Sequence, residues 1–156
     1  MNVTSQVTIA RSRHEVFDFL AHAELLPIYA TDFDWVQRTE GSAPGPDAVY
    51  TYRMTRGAQG TFRHVVFEPN VKLAWQGPPA RSGPGTVAPA GNWILNDADG
   101  GTIVTLTMSP ELRGLLRLMA PFLTASIRKT LPESLQRLKA HLEASADPAR
   151  EEQVTR

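Results

Sequence analysis

The sequence predicts an α+β domain in which one curved antiparallel sheet packs against a single long C-terminal helix. Three features support this prediction: a strand and two short helical segments at the start, a run of strands with short connections in the middle, and a long amphipathic segment at the end. Strands joined by hairpins form antiparallel sheets, and a lone amphipathic helix needs a sheet face on which to bury its apolar side.

The opening strand lies in "NVTSQVTIA", where Val7 and Ile9 alternate with polar residues. Ser12 is a suitable N-cap for the helix that follows, and Glu15 stands three residues later, as in a capping box. Apolar residues then recur at helical spacing until Pro27 ends or kinks the segment. This stretch therefore predicts a strand, a helix and a second short helix or turn.

Six further strands are predicted from segments whose apolar residues alternate with polar ones. These segments are "FDWVQRTEG", "AVYTYRMTRG", "GTFRHVVFEPN", "VKLAWQ", "GNWILND" and "TIVTLTM". The turn "EPN" and the Asp-Gly-Gly of "DADGG" are hairpin signals, so neighbouring strands should pair antiparallel. With the opening strand, the predicted sheet has about seven strands.

The C-terminal segment is predicted to be helical because its leucines, with a few other apolar residues, recur mostly three or four positions apart from Leu112 to Leu142. Pro121 marks a break or the true start of the main helix, and Pro132 predicts a kink. The polar residues after this stripe are expected to fray. A long helix with one apolar stripe should lie on the concave face of the sheet.

The stretch from Gly77 to Gly91, "GPPARSGPGTVAPAG", contains four glycines and four prolines. It is longer than a hairpin requires, and its composition argues against a helix or a central strand. We expect a mobile flap over a cavity mouth, with Arg81 contacting an anionic or carbonyl group of a ligand. The alternative is a surface insertion without a function.

The composition narrows the function classes. The 156 residues include 16 basic and 16 acidic side chains and no cysteine, so disulfides, thiol catalysis and an electrostatic nucleic-acid footprint are not expected. Neither a signal peptide nor a membrane span is predicted, which makes the cytoplasm the expected location and stable membrane insertion unexpected. We expect one domain over residues 1–143 and a polar, flexible tail over residues 144–156.

The order of these elements resembles the helix-grip fold of the START and birch-pollen-allergen superfamily, also called SRPBCC. The stretches "IARSRHEVFDFLAHAELLPIYA", "VVFEPNVKLAW", "GGTIVTLTM" and "SLQRLKAHLE" are similar to its polyketide cyclase/dehydrase-like branch, over about residues 3–143. The resemblance implies a curved sheet wrapped around one long helix, with an apolar cavity that takes lipids, sterols, quinones, polyketides or plant metabolites. Some members of the superfamily catalyse cyclisation or dehydration, and others only carry or sequester a ligand.

The candidate catalytic residues are Tyr52, His64 and Arg53. A histidine in the middle of a strand can act as a general base near neutral pH, and a tyrosine hydroxyl can donate to a carbonyl or enolate oxygen. Because side chains alternate along a strand, only one of His64 and its neighbour Arg63 can face the cavity. Arg63 would be an anchor for an anion or carbonyl if it faced inward, and Arg53 reaches the face of Tyr52 only through a bulge or from the end of the strand.

The predicted ligand-binding side chains are mostly aromatic or thioether groups, which supply apolar wall with a few polar tips. They are Phe33, Trp35, Tyr50, Tyr52, Met54, Arg63, Trp75, Arg81, Trp93, Met108, Met119, Phe122 and Leu123. Phe33 and Trp35 are expected on one face of their strand. Met119, Phe122 and Leu123 are expected to contribute from the helical side.

No metal or cofactor site is predicted. His14, His22 and His141 have no metal-binding spacing, and Asp32 and Asp34 are read as solvated caps beside a loop. The nucleophile and phosphate-binding motifs of hydrolases and nucleotide-binding proteins are not found either.

Three functions remain open. The first is a cyclase, aromatase or dehydratase that holds a polyketide-like substrate, and the second is a non-catalytic carrier or sequestering protein for a lipid, quinone or antibiotic. The third is a partner-binding module, which would need an exposed apolar patch that the sequence does not reveal. The expected partner is a small hydrophobic ligand, and the chain is expected to be a monomer or homodimer.

Overall fold

The computed structural model describes residues 1–42 and 44–144. Its elements in chain order are β1 (Val3–Ile9), α1 (Arg13–Ala21), a first 3-10 helix (Ala23–Ile28), β2 (Phe33–Glu40), β3 (Val49–Met54), β4 (Gln59–Glu68), β5 (Lys72–Gln76), β6 (Ala80–Ser82), β7 (Gly85–Ala88), β8 (Ala90–Ala98), β9 (Gly101–Met108), β10 (Glu111–Gly114), a second 3-10 helix (Leu115–Met119) and α2 (Ala120–Ala144). The predicted tail lies outside the described residues except for Ala144.

Seven strands form one fully antiparallel sheet in the order β1-β9-β8-β5-β4-β3-β2. With α2 packed on it, this sheet confirms the predicted α+β helix-grip architecture, including the two short helical segments after β1. The hairpin signals act as expected: Asn70 adopts a φ of 66° in the β4–β5 turn, and Gly100 a φ of 76° in the β8–β9 turn.

The helix α1 begins as its sequence predicts. The Ser12 hydroxyl accepts a hydrogen bond from the Glu15 backbone N–H at 3.2 Å, which satisfies one of the unpaired donors of the first turn. The Glu15 carboxylate lies 3.6 Å from the guanidinium of Arg11. The inward side of α1 carries Val16, Phe17, Leu20 and Ala21, all of them buried.

The C-terminal half of α2 is docked on the sheet. Its buried residues are Leu131, Leu135, Leu138 and Leu142. Two polar contacts tie this half to β1: the Lys139 ammonium donates to the Thr8 carbonyl at 2.6 Å, and the Glu143 carboxylate accepts from the Ala10 backbone N–H at 2.9 Å. The helix starts next to Pro121, as expected, and is assigned as one element through Pro132.

The expectation that the segment from Gly77 to Gly91 forms no central strand is wrong. This segment contains β6 and β7, which join β10 in a second sheet of order β10-β7-β6. β7 is therefore a central strand despite its glycine. The partner strand β10 lies more than twenty residues further along the chain, so the local composition could not reveal the pairing, and Gly85 permits a close approach to the Arg113 backbone.

Two bulges change which side chains share a face. In β2 the register shifts between Phe33 and Trp35, so that Phe33 pairs with Met54 and Trp35 with Arg53. Because directly paired residues point to the same side, Trp35 faces the outer side of the sheet and the predicted common face of Phe33 and Trp35 is wrong. In β4 a second shift follows His64.

The buried side chains form two clusters. The main cluster lies between α1, α2 and strands including β1, β8 and β9, and consists mainly of aliphatic residues. The tyrosine cluster lies at the other end of the sheet and contains Ala23, Val36, Ala48, Tyr50, Tyr52 and Phe62. Trp75 is half-buried and packs against both. Within the two described stretches, no helix has the length and apolarity needed to cross a membrane.

Candidate ligand-binding site

The inner side of β3 and β4 carries a group of aromatic rings with polar tips. Tyr50 is paired with Phe62 across the two strands, and the two rings stack at a centroid distance of 5.5 Å and an interplanar angle of 21°. Tyr52 lies further along β3, with its ring centroid 5.7 Å from that of Phe33. These rings form an apolar wall that presents hydroxyl groups.

His64 is the most chemically distinctive residue of this face. It is only 3% exposed, and its Nδ1 is buried without a hydrogen-bond partner among the described residues. The rings around it are Tyr50 at 5.5 Å, Phe67 at 6.1 Å and Phe62 at 6.3 Å between centroids. Burial lowers the pKa of His64 from 6.5 to about 4, so the imidazole is neutral at neutral pH and can accept a proton.

Tyr52 owes its position to a glycine on the neighbouring strand. Tyr52 pairs with Gly60, and a Cβ atom at Gly60 would come within 2.6 Å of the Tyr52 hydroxyl oxygen. The missing side chain therefore leaves room for the phenol tip. Burial raises the pKa of Tyr52, which keeps the hydroxyl protonated and able to donate a hydrogen bond.

Tyr50 is held by the C-terminal end of α1. Its hydroxyl donates to the Ala21 carbonyl at 3.3 Å. Burial raises the pKa of Tyr50, the negative charge of Glu24 raises it further, and the positive charge of Arg38 opposes both effects. Sequence reasoning missed Glu24, whose Oε2 is buried without a hydrogen-bond partner in the described chain. A single acid within the apolar run "AELLPIY" was the available signal.

A row of paired residues runs across the sheet from His64 to the rest of the concave side. His64 pairs with Trp75, Trp75 with Gly91, and Gly91 with Met108. A Cβ atom at Gly91 would overlap the Trp75 indole and come within 2.6 Å of the Thr107 carbonyl. The indole therefore lies flat over the glycine, next to the imidazole row.

Most predicted ligand-binding residues of the strands share this concave side. The inward-facing ones are Phe33, Tyr50, Tyr52, Met54, Trp75, Trp93 and Met108. Of the alternative pair in β4, His64 is buried and Arg63 is exposed, so His64 is the one that faces inward.

Three predicted residues lie elsewhere on the strands. Arg53 is exposed and points away from Tyr52, because β3 pairs regularly with β4 there and no bulge turns it inward. The bulge that its candidate catalytic role required is therefore not present between β3 and β4. Trp35 shares the outer side with Arg53, and Arg81 is exposed on β6.

The helical side also differs from the expectation. Met119 and Phe122 are exposed, and only Leu123 is half-buried. The predicted apolar stripe is not buried along its whole length. At the start of α2, Leu123 points toward the buried side, whereas the preceding residue Phe122 points away from it. The expected packing of Met119 and Phe122 against the sheet is therefore wrong.

A groove of about 810 Å³ lies near the start of α2, between Met1, the segment 109–114 and Arg117. It includes the charged side chains of Glu111, Arg113 and Arg117 and no aromatic residue. It is separate from the residues around His64, and its open, charged lining does not suit an apolar ligand. The described residues also contain no group of three or more acidic or histidine side chains placed to hold a metal ion.

The fold defines a helix-grip protein, and its concave side carries a group of aromatic residues. The chain belongs to the family described as "Polyketide cyclase / dehydrase and lipid transport", whose model matches residues 1–143. The predicted resemblance is thus confirmed, and family membership supports a role in binding a hydrophobic ligand. A search of curated proteins finds no significant match.

Solved structures share the fold at low sequence identity. A conserved protein from Geobacillus kaustophilus has a TM-score of 0.74 at 16% identity, with 93% of this chain and 97% of that one covered. A START superfamily protein from Mycobacterium smegmatis has a TM-score of 0.73 at 11% identity, with 93% and 99% covered. The di-domain ARO/CYC StfQ from the steffimycin biosynthetic pathway has a TM-score of 0.62 at 18% identity, with 90% of this chain but 44% of StfQ covered.

Proposed function

We propose that this protein binds a small, carbonyl-bearing, polyketide-like molecule on its concave face and promotes its cyclisation, aromatisation or dehydration. The observation that carries the proposal is His64, a buried imidazole whose Nδ1 has no hydrogen-bond partner among the described residues and which is surrounded by aromatic rings. A polar group left unpaired in such surroundings is costly, so it suits a partner that arrives with the ligand.

The proposed chemistry uses His64 and Tyr52 on one substrate. Tyr52 donates a hydrogen bond to a carbonyl oxygen and polarises that carbonyl. His64 takes a proton from the carbon next to a carbonyl, and the resulting enolate carbon forms a carbon–carbon bond to the polarised carbonyl carbon, giving an alkoxide that is protonated to a hydroxyl. The removal of a second carbon-bound proton with loss of that hydroxyl as water completes the dehydration.

The low pKa of His64 suits a residue that gives its proton back to the substrate soon after taking it. With a pKa lowered to about 4, the imidazole is a weak base, and its protonated form is a strong acid that readily passes the proton to a departing hydroxyl. The rings of Phe33 and Trp75 would hold the substrate folded, so that its reacting carbons are close together.

A carrier is the second candidate, and the same pKa favours it. An imidazole that is weakly basic in the free protein gives little drive for removing a carbon-bound proton, and the remaining concave face is mainly apolar. In this case His64 and Tyr52 would only orient a quinone or lipid carbonyl through hydrogen bonds.

Binding is tested with emodin, a hydroxylated anthraquinone, by the quenching of tryptophan fluorescence, because Trp75 and Trp93 lie on the concave side. Tyr52→Phe and His64→Phe should each weaken emodin binding by about tenfold, the effect of losing one buried hydrogen bond to a ligand. Arg53→Gln, on the outer side of β3, is the control and should bind as the unmodified protein does. Equal binding by all four proteins would contradict the proposed site.

Catalysis is tested separately with a linear poly-β-ketone thioester, by following the loss of water and the new aromatic absorbance. The unmodified protein should convert it faster than buffer, and His64→Phe should lose the rate enhancement. Emodin binding without any conversion of the thioester would make the protein a carrier. Conversion at an unchanged rate by His64→Phe would remove the catalytic role of that residue.

A further inference from the structure

The start of the C-terminal helical region exposes a contiguous apolar surface, named the apolar patch here. It consists of Leu115, Leu118, Met119 and Phe122, with exposed fractions of 61%, 78%, 43% and 75%. Single exposed apolar residues are common on proteins, but four large ones within eight positions are not. The sequence alone did not reveal this patch.

The patch is fixed in its outward orientation. Leu115, Leu118 and Phe122 are three or four positions apart along the second 3-10 helix and the first turn of α2, which places them on one side, and Met119 lies next to Leu118 and three positions before Phe122. The opposite side is anchored, because Leu116 is buried next to Gly85 of β7 and Leu123 is half-buried. Turning Phe122 inward would therefore pull Leu116 out of its packing.

The charges around the patch have one sign. Between residues 112 and 132 the only charged side chains are Arg113, Arg117, Arg128 and Lys129, although the whole chain has no net charge. All four are exposed. Arg117 lies within the patch segment, and Lys129 lies two helical turns after Phe122 on the same side.

The small sheet carries two further basic side chains. Arg113 on β10 and Arg81 on β6 both pair with Thr86 of the central strand β7, so the two arginines point to the same side of the sheet. Arg113 is also paired with Glu111 at 2.8 Å, which partly offsets its charge. Arg81 was the residue in this segment for which a ligand contact was expected.

We propose that the apolar patch docks on the surface of an anionic lipid bilayer. The leucines and Phe122 would enter the boundary between headgroups and acyl chains, while Arg117 and Lys129 contact the lipid phosphates. The proposal goes beyond the ligand-binding function and does not depend on it, since no residue of the patch belongs to the concave face.

The charge distribution favours a membrane over a second copy of this chain. Two copies related by a two-fold axis would bring the same patch together and would bring Arg117 and Lys129 of both copies into one interface. Like charges opposed across an interface are destabilising, whereas an anionic surface complements all of them.

The test is sedimentation of the full chain with vesicles of phosphatidylcholine alone and with vesicles of equimolar phosphatidylcholine and phosphatidylglycerol. The protein should bind the anionic vesicles, and bind them less at high salt because the charges are screened. The double variant Leu118→Ser, Phe122→Ser should bind at least about tenfold more weakly through the loss of buried apolar area. Val65→Ser, which removes an exposed valine from β4, is the matched control.

The charge contribution is tested with Arg117→Glu, which should weaken binding by about tenfold, against Arg63→Glu, the same change on the outer side of β4, which should not. Binding of the double variant at the level of the unmodified protein would overturn the proposal, as would the absence of binding to anionic vesicles. Light scattering that shows a dimer lost in the double variant would identify a second copy as the occupant and would also overturn it.

Discussion

The two buried clusters of this protein are similarly inaccessible but differ in chemistry. The main cluster places Leu138 and Val104 at 0% exposure among other apolar residues, covered by α1 and α2. The tyrosine cluster places Tyr50 at the same exposure, yet its neighbour His64 has a ring nitrogen that finds no hydrogen-bond partner within residues 1–42 and 44–144.

The difference follows from what covers each cluster. A long amphipathic helix supplies a continuous apolar stripe, so the main cluster is mostly aliphatic, with Tyr29 and Trp93 among its few members that carry a polar group. The tyrosine cluster is covered by one short 3-10 helix, which contributes Ala23 and Leu26 together with a carboxylate from Glu24. The main cluster thus provides stability, and the region around the tyrosines retains groups that can act on a ligand.

The largest effect should come from Leu138→Ala in the main cluster. Removing a fully buried leucine side chain leaves a cavity under α2 and should lower the free energy of unfolding by about 4 kcal/mol. Urea unfolding followed by circular dichroism measures it.

Leu118→Ala is the matched control for this change, because Leu118 belongs to the same leucine-rich segment but is exposed. It should alter the free energy of unfolding by less than about 0.5 kcal/mol. Comparable losses of stability for the two variants would mean that Leu118 is packed against another part of the protein and is not exposed.

The sequence predicted the elements whose signals are local. The cap at Ser12, the turns at Asn70 and Gly100, and the stripe from Leu131 to Leu142 each depend on residues close together in the chain. Caps, turns and amphipathic stripes are each determined by residues within a few positions of one another, so the local sequence was sufficient to predict these elements.

The parts that could not be predicted depend on distant partners. The pairing of β7 with β10 joins segments more than twenty residues apart, and the bulge that separates Phe33 from Trp35 shows only in the register with β3. The apolar stripe likewise does not show which of its members are buried, so Phe122 was predicted to face the sheet. Alternation alone was enough to predict that Tyr50 and Tyr52 share one face of β3, whereas the gap at Gly60 and the buried carboxylate of Glu24 were not predicted.

The second prediction concerns pH and belongs to the region of the tyrosine cluster. The pKa of His64 is lowered from 6.5 to about 4 in the folded protein, so between these pH values the unfolded chain binds a proton that the folded chain does not. The contribution of His64 to stability is therefore complete above about pH 6.5 and is lost as the pH falls toward 4. At most about 3 kcal/mol is at stake.

Urea unfolding across this pH range should show a steeper loss of stability for the unmodified protein than for His64→Phe. Subtracting the slope of His64→Phe from the slope of the unmodified protein removes the contributions of other titrating groups. Glu143 is one of these groups, because its pKa is lowered mainly by its hydrogen bond from Lys139. His14→Gln, which changes an exposed histidine of α1, serves as the control and should keep the slope of the unmodified protein. An identical slope in His64→Phe would mean that the imidazole is accessible to protons in the folded state.

The smallest effect is expected from Gly60→Ala, which adds one methyl group beside the tip of Tyr52. The new Cβ atom would come within 2.6 Å of the Tyr52 hydroxyl oxygen and 3.0 Å of the Ala80 Cβ, so the phenol must move aside. We expect a loss of about 1 kcal/mol in the free energy of unfolding, because the contact is at the far end of a side chain. Emodin affinity should fall by about tenfold, because the displaced hydroxyl no longer meets the ligand carbonyl.

A double-mutant cycle shows whether this cost comes from Tyr52. In a Tyr52→Leu background the clashing atom is absent, so Gly60→Ala should cost almost nothing further in stability or emodin affinity. The same penalty in both backgrounds would mean that Gly60 is required by the backbone of β4 and not by the tyrosine. Tyr52 would then hold its position without help from the glycine, and the gap at Gly60 would not be a feature that distinguishes the tyrosine cluster from the main cluster.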